Sequence, residues 1–141
     1  MTNKLNRSIY FDVAATTPLD SIVAEKMHEV NLVDFGNPSS VHKFGQRAHN
    51  ILERTRKGVA SILNCRDSEI FFTSGGTESN NIALRGILNK NDHFITSTYE
   101  HPAILNVAKE LVKKGVDVSY IRPNKNGDID SNSVKNEIKE N

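Results

Sequence analysis

The first apolar run, Ile9-Tyr10-Phe11, follows a polar start and reads as a brief extended segment. Pro18 and Asp20 then mark a helix start, with Asp20 placed to cap a helix over Ser21 to Leu32. Val23, Met27 and Val30 recur there at helical spacing. Gly36-Asn37-Pro38-Ser39-Ser40 breaks the pattern and predicts a loop. A long amphipathic helix is expected from His42 to Leu63. Its apolar face is Phe44, Ala48, Ile51, Leu52, Val59, Ile62 and Leu63; Arg47, Glu53, Arg54, Arg56 and Lys57 form its wet face. Gly58 inside it is a weak helix former.

From Glu69 the rhythm changes. Ile70-Phe71-Phe72-Thr73 predicts a strand and Glu78 to Leu88 a helix, with Ala83, Leu84, Ile87 and Leu88 as its buried stripe. Phe94-Ile95-Thr96 predicts a second strand. Pro102 to Lys114 predicts a helix with proline in its first turn and Gly115 at its end. Val116 to Ile121 predicts a third strand and Asn124-Lys125-Asn126-Gly127 a turn; Asp130 or Ser131 caps a short last helix. The order β-α-β-α-β argues for an α/β fold with a mainly parallel sheet, right-handed crossovers and flanking helices. Three strands leave a bare edge, a first hint of an incomplete domain.

Composition narrows the function classes. The 141 residues suit one domain, and 37% hydrophobic with 25% charged residues suit a soluble globular protein. Eighteen basic against 17 acidic residues give +1, a balance that offers no attraction to nucleic acid or an anionic membrane. No apolar run is long enough to span a bilayer, and the polar start lacks the apolar core of a secretory signal. The single cysteine, Cys65, permits no internal disulfide and fits a reducing cytoplasm. The five histidines are scattered without metal-ligand spacing, so no metal is expected.

Two segments carry candidate chemistry. Thr73-Ser74-Gly75-Gly76-Thr77-Glu78-Ser79-Asn80 lies where a strand gives way to a helix. Two glycines allow a sharp turn, and free N–H groups backed by the helix dipole suit a phosphate, with Thr77 adding a hydroxyl. A capped helix after a Gly-Gly turn explains the same residues equally well. No lysine follows the glycines as in a Walker A loop, and G-x-G-x-x-G is absent. Tyr99-Glu100-His101-Pro102 follows the next strand, at the sheet edge where open α/β sheets bind ligands. His101 there could stack on a planar ring or move a proton, although a lone histidine in that place is more often a surface or capping residue. Cys65, in the turn Asn64-Cys65-Arg66-Asp67, reads as an inert loop thiol, and no lysine stands in a context that suggests a Schiff-base amine.

Four motifs in order resemble one family. They are Tyr10-Phe11-Asp12 with Ala15-Thr16-Thr17-Pro18, then Gly36-Asn37-Pro38-Ser39-Ser40, then Phe72-Thr73-Ser74-Gly75-Gly76-Thr77-Glu78-Ser79-Asn80, then Glu100-His101. From about Ile9 onward the chain is similar to the N-terminal portion of cysteine desulfurases, in the class V aminotransferase group of fold type I pyridoxal-phosphate (PLP) enzymes. The resemblance implies an incomplete three-layer large domain, with residues 1–65 leading into the start of the PLP-binding part at 66–141. It implies PLP as cofactor, with Gly76 and Thr77 on its phosphate and His101 stacked on its ring and a party to proton transfer; Asn37 and the Ala14 to Thr17 segment would lie near the substrate cleft. It further implies L-cysteine as substrate, alanine as product, an enzyme persulfide feeding an iron–sulfur scaffold protein, and a homodimer.

The family's Schiff-base lysine, pyridine-nitrogen aspartate, substrate-binding arginine and acceptor cysteine all lie beyond the matched region. The 141-residue chain alone is therefore expected to be inactive, and marginal in stability because its apolar faces lack cover. Beside this reading stand a selenocysteine lyase or class V aminotransferase fragment, a non-catalytic homologue that binds a full-length desulfurase subunit, and a decayed coding sequence.

Overall fold

Capping decides where the helices begin and end. The computed structural model describes residues 9–139; the polar start over residues 1–8 and the last two residues lie outside them. The chain divides into two compact units, Met1–Ile70 and Phe71–Asn141.

In the first unit, Ile9-Tyr10-Phe11 joins no sheet. The Tyr10 hydroxyl donates to the carbonyls of Asp12 and Thr16 at 2.9 and 3.0 Å, which closes a turn. Asp20 caps α1 (Ser21–Val33) as expected, its Oδ1 accepting from the N–H groups of Ile22 and Val23 at 2.8 and 3.4 Å. Such a cap stabilises a helix by about 1 kcal/mol. α2 (Lys43–Leu63) starts at His42, whose Nδ1 accepts from Gly45 N–H. It ends in a Schellman turn: Asn64 adopts φ 53°, Cys65 N–H donates to the Ala60 carbonyl and Asn64 N–H to that of Ser61.

The loop 36–40 rests directly on the start of α2. A Cβ on Gly45 would overlap the Ser40 carbonyl and lie 2.7 Å from the Asn37 carbonyl, and one on Gly36 would strike the Phe44 carbonyl. Phe35 stacks on Phe44 with ring centroids 5.7 Å apart. The expected apolar face of α2 is only partly covered. Ala48, Ile51, Leu52 and Val59 are half-buried and Ala60 is buried, but Phe44, Ile62 and Leu63 are exposed, since no element of this unit covers those positions.

The expected strand Ile70-Phe71-Phe72-Thr73 does not form. A strand needs a neighbour to complete its ladder. The Ile70 carbonyl is taken by the Arg56 guanidinium, and a single 3-10 turn, Asp67–Glu69, occupies the approach. Among the described residues the one ladder belongs to the second unit, so the sheet has two strands rather than three.

In that second unit, β1 (His93–Ser97) and β2 (Asp117–Ile121) run parallel, in register from His93 opposite Asp117 to Ser97 opposite Ile121. α3 (Gly76–Ile87) precedes β1, and α4 (Pro102–Lys113) is the crossover between the strands. Val107, Leu111 and Val116 form the core, with Leu84, Leu88, Phe94 and Val118 packed against them. Of the stripe expected on α3, Leu84 and Leu88 face this core. Ala83 and Ile87 are exposed instead, because α4 covers only one narrow side of the helix.

Leu111 and Val116 also close the end of α4. Val116 N–H donates to the Leu111 carbonyl and Gly115 N–H to that of Val112, with Gly115 at φ 90°. The short α5 (Ser131–Glu137), capped by Asp130, is tied to the sheet by polar groups. Ser119 donates to Glu137 at 2.7 Å and meets His93 Nε2 at 2.9 Å, while Lys139 pairs with Asp117.

Candidate functional site

The two candidate segments meet at one cleft. The cleft, of about 340 Å3, is lined by Thr77, Asn81 and Arg85 from α3, by His101 at the cap of α4, and by Pro102, Ala103, Asn106, Val107 and Glu110 from α4. Thr77 and His101 are thus brought together, with Gly76 immediately before Thr77. Asn37 belongs to the other unit. It is exposed, and it shapes its own loop, Oδ1 accepting from Ser39 N–H and its carbonyl from Ser40 N–H, both at 2.9 Å.

The entry to α3 is built to stay open. Gly75 occupies the cap position and offers no side chain, so the first N–H groups of the helix have no side-chain acceptor. Gly75, not Thr77, holds the cap position, and Thr77 lies inside the first turn. A Cβ on Gly75 or Gly76 would meet nothing within 4 Å, so the turn has open space beside it. The preceding loop is held from behind. Glu78 Oε2 accepts from both the N–H and the hydroxyl of Ser74, which holds the Glu78 carboxyl below its ordinary value. Thr73 Oγ1 donates to the Gly75 carbonyl at 3.2 Å and meets Ser79 Oγ at 2.7 Å. The helix dipole adds partial positive charge where these donors converge.

His101 is the cap of α4. Its Nδ1 accepts from Ala103 N–H at 3.1 Å, and Pro102 takes the first helical position. The capping role expected of a lone histidine is therefore real, and it fixes the neutral ring as the tautomer protonated on Nε2. His101 itself remains exposed.

These residues fit one kind of ligand. Free N–H groups with the Thr77 hydroxyl suit a phosphate, and the His101 ring offers an aromatic face to a planar heterocycle, so the phosphate and ring of PLP match the donors present. No lysine lines this cleft among the described residues.

A polar chain that the sequence reading missed runs along the wall. Asn81 Nδ2 donates to the Thr77 carbonyl and Arg85 Nε to Asn81 Oδ1, both at 2.8 Å, and Arg85 Nη2 reaches Glu110 Oε2 at 2.6 Å. The Arg85 guanidinium keeps the Glu110 carboxyl below its ordinary value, first by that hydrogen bond and then by its charge. The i, i+4 spacing of Asn81 and Arg85 was a readable signal. Cys65 is an exposed thiol in the turn after α2.

Residues 9–141 match the family model described as aminotransferase class-V. The chain is 44% identical over 139 residues to the cysteine desulfurase IscS of Colwellia psychrerythraea, a match that covers 94% of this chain and 34% of that protein. Among solved structures, SspA in complex with cysteine aligns with TM-score 0.85 and 38% identity over 95% of this chain and 40% of its own. A NifS-like protein aligns with TM-score 0.83 and 34% identity over 94% and 37%. The chain spans about a third of the length of the curated relatives it matches.

Proposed function

Because the chain belongs to the class-V aminotransferase family, on its cysteine desulfurase branch, we propose that it supplies the phosphate- and ring-binding side of a PLP site in an enzyme that removes sulfur from L-cysteine. The observation that carries this reading is the pairing of Thr77, at an α3 start without a side-chain cap, with His101, at the α4 start, on one cleft.

PLP, when bound, supplies the electron sink for chemistry at the amino acid. The chain's own residues do the holding. Gly76 and Thr77 offer backbone N–H groups and one hydroxyl to the phosphate. His101 would lie against the ring, and its Nε2, left free by the cap bond on Nδ1, would exchange a proton with the substrate. For the whole protein, the family resemblance assigns Asn37 to the substrate cleft.

In the whole protein, sulfur would pass from L-cysteine to an enzyme thiolate and leave alanine. The resulting persulfide would serve an iron–sulfur scaffold protein, in a cytoplasmic homodimer. Cys65 is not that thiolate. The 141-residue chain, with no lysine on its cleft, would not turn over cysteine alone.

The test is product analysis of the whole protein that contains this chain, purified from its own source with bound PLP. Alanine and sulfide released together from L-cysteine in the presence of a thiol reductant are the expected result. Activity confined to selenocysteine, or amino transfer without sulfur release, would move the chain to another activity of the family. A source protein that never binds PLP would overturn the reading.

A further inference from the structure

We propose that the outer face of α2, with the loop 38–41 beside it, is a docking surface for an acidic protein partner. Every residue it uses lies in the first unit, so it stands or falls independently of the cofactor reading.

Positive charge is concentrated on α2. The helix carries five basic residues against one acidic residue, in a chain whose net charge is only +1. Two of the five are answered locally. Arg47 Nη2 pairs with Asp34 at 2.8 Å, and Arg56 Nε with Glu53 at 3.1 Å. Lys43, Arg54 and Lys57 are exposed and have no acidic partner among the described residues. With Arg47 and Asn50 they recur at helical spacing and form one stripe about 21 Å long at the ordinary helical rise. Like charges along one helix face repel. Carboxylates brought to the stripe relieve that repulsion and steer the encounter.

The stripe runs into a cleft, and Asn50 belongs to both. The cleft, of about 380 Å3, is lined by Pro38, Ser40, Val41, Gln46, His49 and Asn50. Gln46 Nε2 donates to the Val41 carbonyl at 2.9 Å and ties the loop to α2, while Val41 stays 89% exposed. The side chains of His49 and Asn50 are exposed and have no hydrogen-bond partner within the chain among the described residues. An apolar residue beside amide and imidazole groups with open hydrogen bonds suits a protein surface. A single nucleic acid strand would call for aromatic platforms, and the stripe holds none. A second copy meeting this face with its own would set the same cations against each other.

The 141-residue chain is titrated at low ionic strength with a short peptide that carries glutamates at helical spacing and one leucine. Saturable movement of the Val41, Asn50, Arg54 and Lys57 amide resonances is expected, weakening as salt is added. Glutamine keeps helix propensity. The double variant Arg54→Gln, Lys57→Gln is expected to bind roughly tenfold more weakly, and Lys109→Gln on α4 to bind as the parent within about twofold. Equal loss in the Lys109 variant would reduce the effect to overall charge and overturn the inference. Equal affinity for a peptide with alanine in place of leucine would remove the cleft from the surface and overturn it too. Tighter binding of oligothymidylate to the same residues would assign the stripe to nucleic acid instead. No saturable binding of the peptide would overturn the inference outright, and none of these results touches the PLP reading.

Discussion

Glu78 and Ser74 are joined twice: one carboxylate oxygen accepts from the Ser74 N–H and from its hydroxyl, each at 2.7 Å. The contact spans the Gly75-Gly76 turn. It also occupies the carboxylate in the first turn of α3. Glu78→Gln should loosen the turn and weaken binding of inorganic phosphate several-fold, read at the Thr77 amide. Unchanged binding would show that the turn is rigid without the clamp.

Acid should weaken the fold through the same class of contact. Glu69, Glu78, Glu110 and Asp117 are all held below their ordinary values, the first three below 4.5 and the last below 3.8. The partners, in order, are Arg66, Ser74, Arg85 and Lys139. The unfolded chain then binds protons more readily than the folded one in that range. These contributions are complete above about pH 4.5 and decline as pH falls through the depressed values. Thermal melts between pH 7 and pH 3 should show a flat upper range and a fall below it. A midpoint that rises on acidification would contradict these contacts.

The end of α4 is the most sensitive point of the second unit. Leu111 is 2% exposed, and Leu111→Ala should cost about 3 kcal/mol in denaturant unfolding. Gly115 sits at φ 90° with its would-be Cβ 2.9 Å from Lys90 Cγ, so Gly115→Ala should cost about 1–2 kcal/mol. Wild-type stability in the Gly115 variant would mean that the turn relaxes freely.

The first unit has its own critical glycine. Any side chain on Gly45 collides with the backbone at Ser40 and Asn37, neither of which is a flexible tip. Gly45→Ala should displace the loop 36–40 and disorder Asn37, seen as loss of the Ser39 and Ser40 amide resonances from their folded positions. Gly58→Ala, in the same helix with open space around it, should leave them in place and slightly stabilise α2.

How much of this was legible in sequence follows the range of each interaction. Asp20, Asp130, Pro102 and Gly115 act within a turn or two of themselves, so α1, α4 and α5 were readable from one segment at a time. The start of α3 fell two residues earlier than its charged residues suggested, because glycine at the cap leaves no side-chain signal. Ile70-Phe71-Phe72-Thr73 has the composition of a strand, but a strand is completed by a neighbour, and that information is not local. Gly76, Thr77 and His101 could be named from their motifs, whereas the cleft that Thr77 and His101 both line depends on how α3 packs on α4. The Arg85–Glu110 contact, across 25 residues, was legible only in three dimensions.

Exposed apolar residues set a practical expectation for handling the chain. Ile22 on α1, Ile62 on α2 and Phe71 are each more than two-thirds exposed. Surfaces of that kind bind hydrophobic dyes and associate. The chain should enhance the fluorescence of such a dye at neutral pH and sediment as concentration-dependent species. A dye-silent monomer would contradict the exposure of these side chains.

The most direct test of the central claim is a PLP titration of the 141-residue chain, with the Thr77 amide and the His101 ring followed together by NMR. The expected result is saturable movement of both at one common midpoint, with the amides of the Asn37 loop used as a separate report on the first unit. Movement of Thr77 without His101 would reduce the cleft to a phosphate site, and movement of neither would contradict the claim that these two residues hold the cofactor.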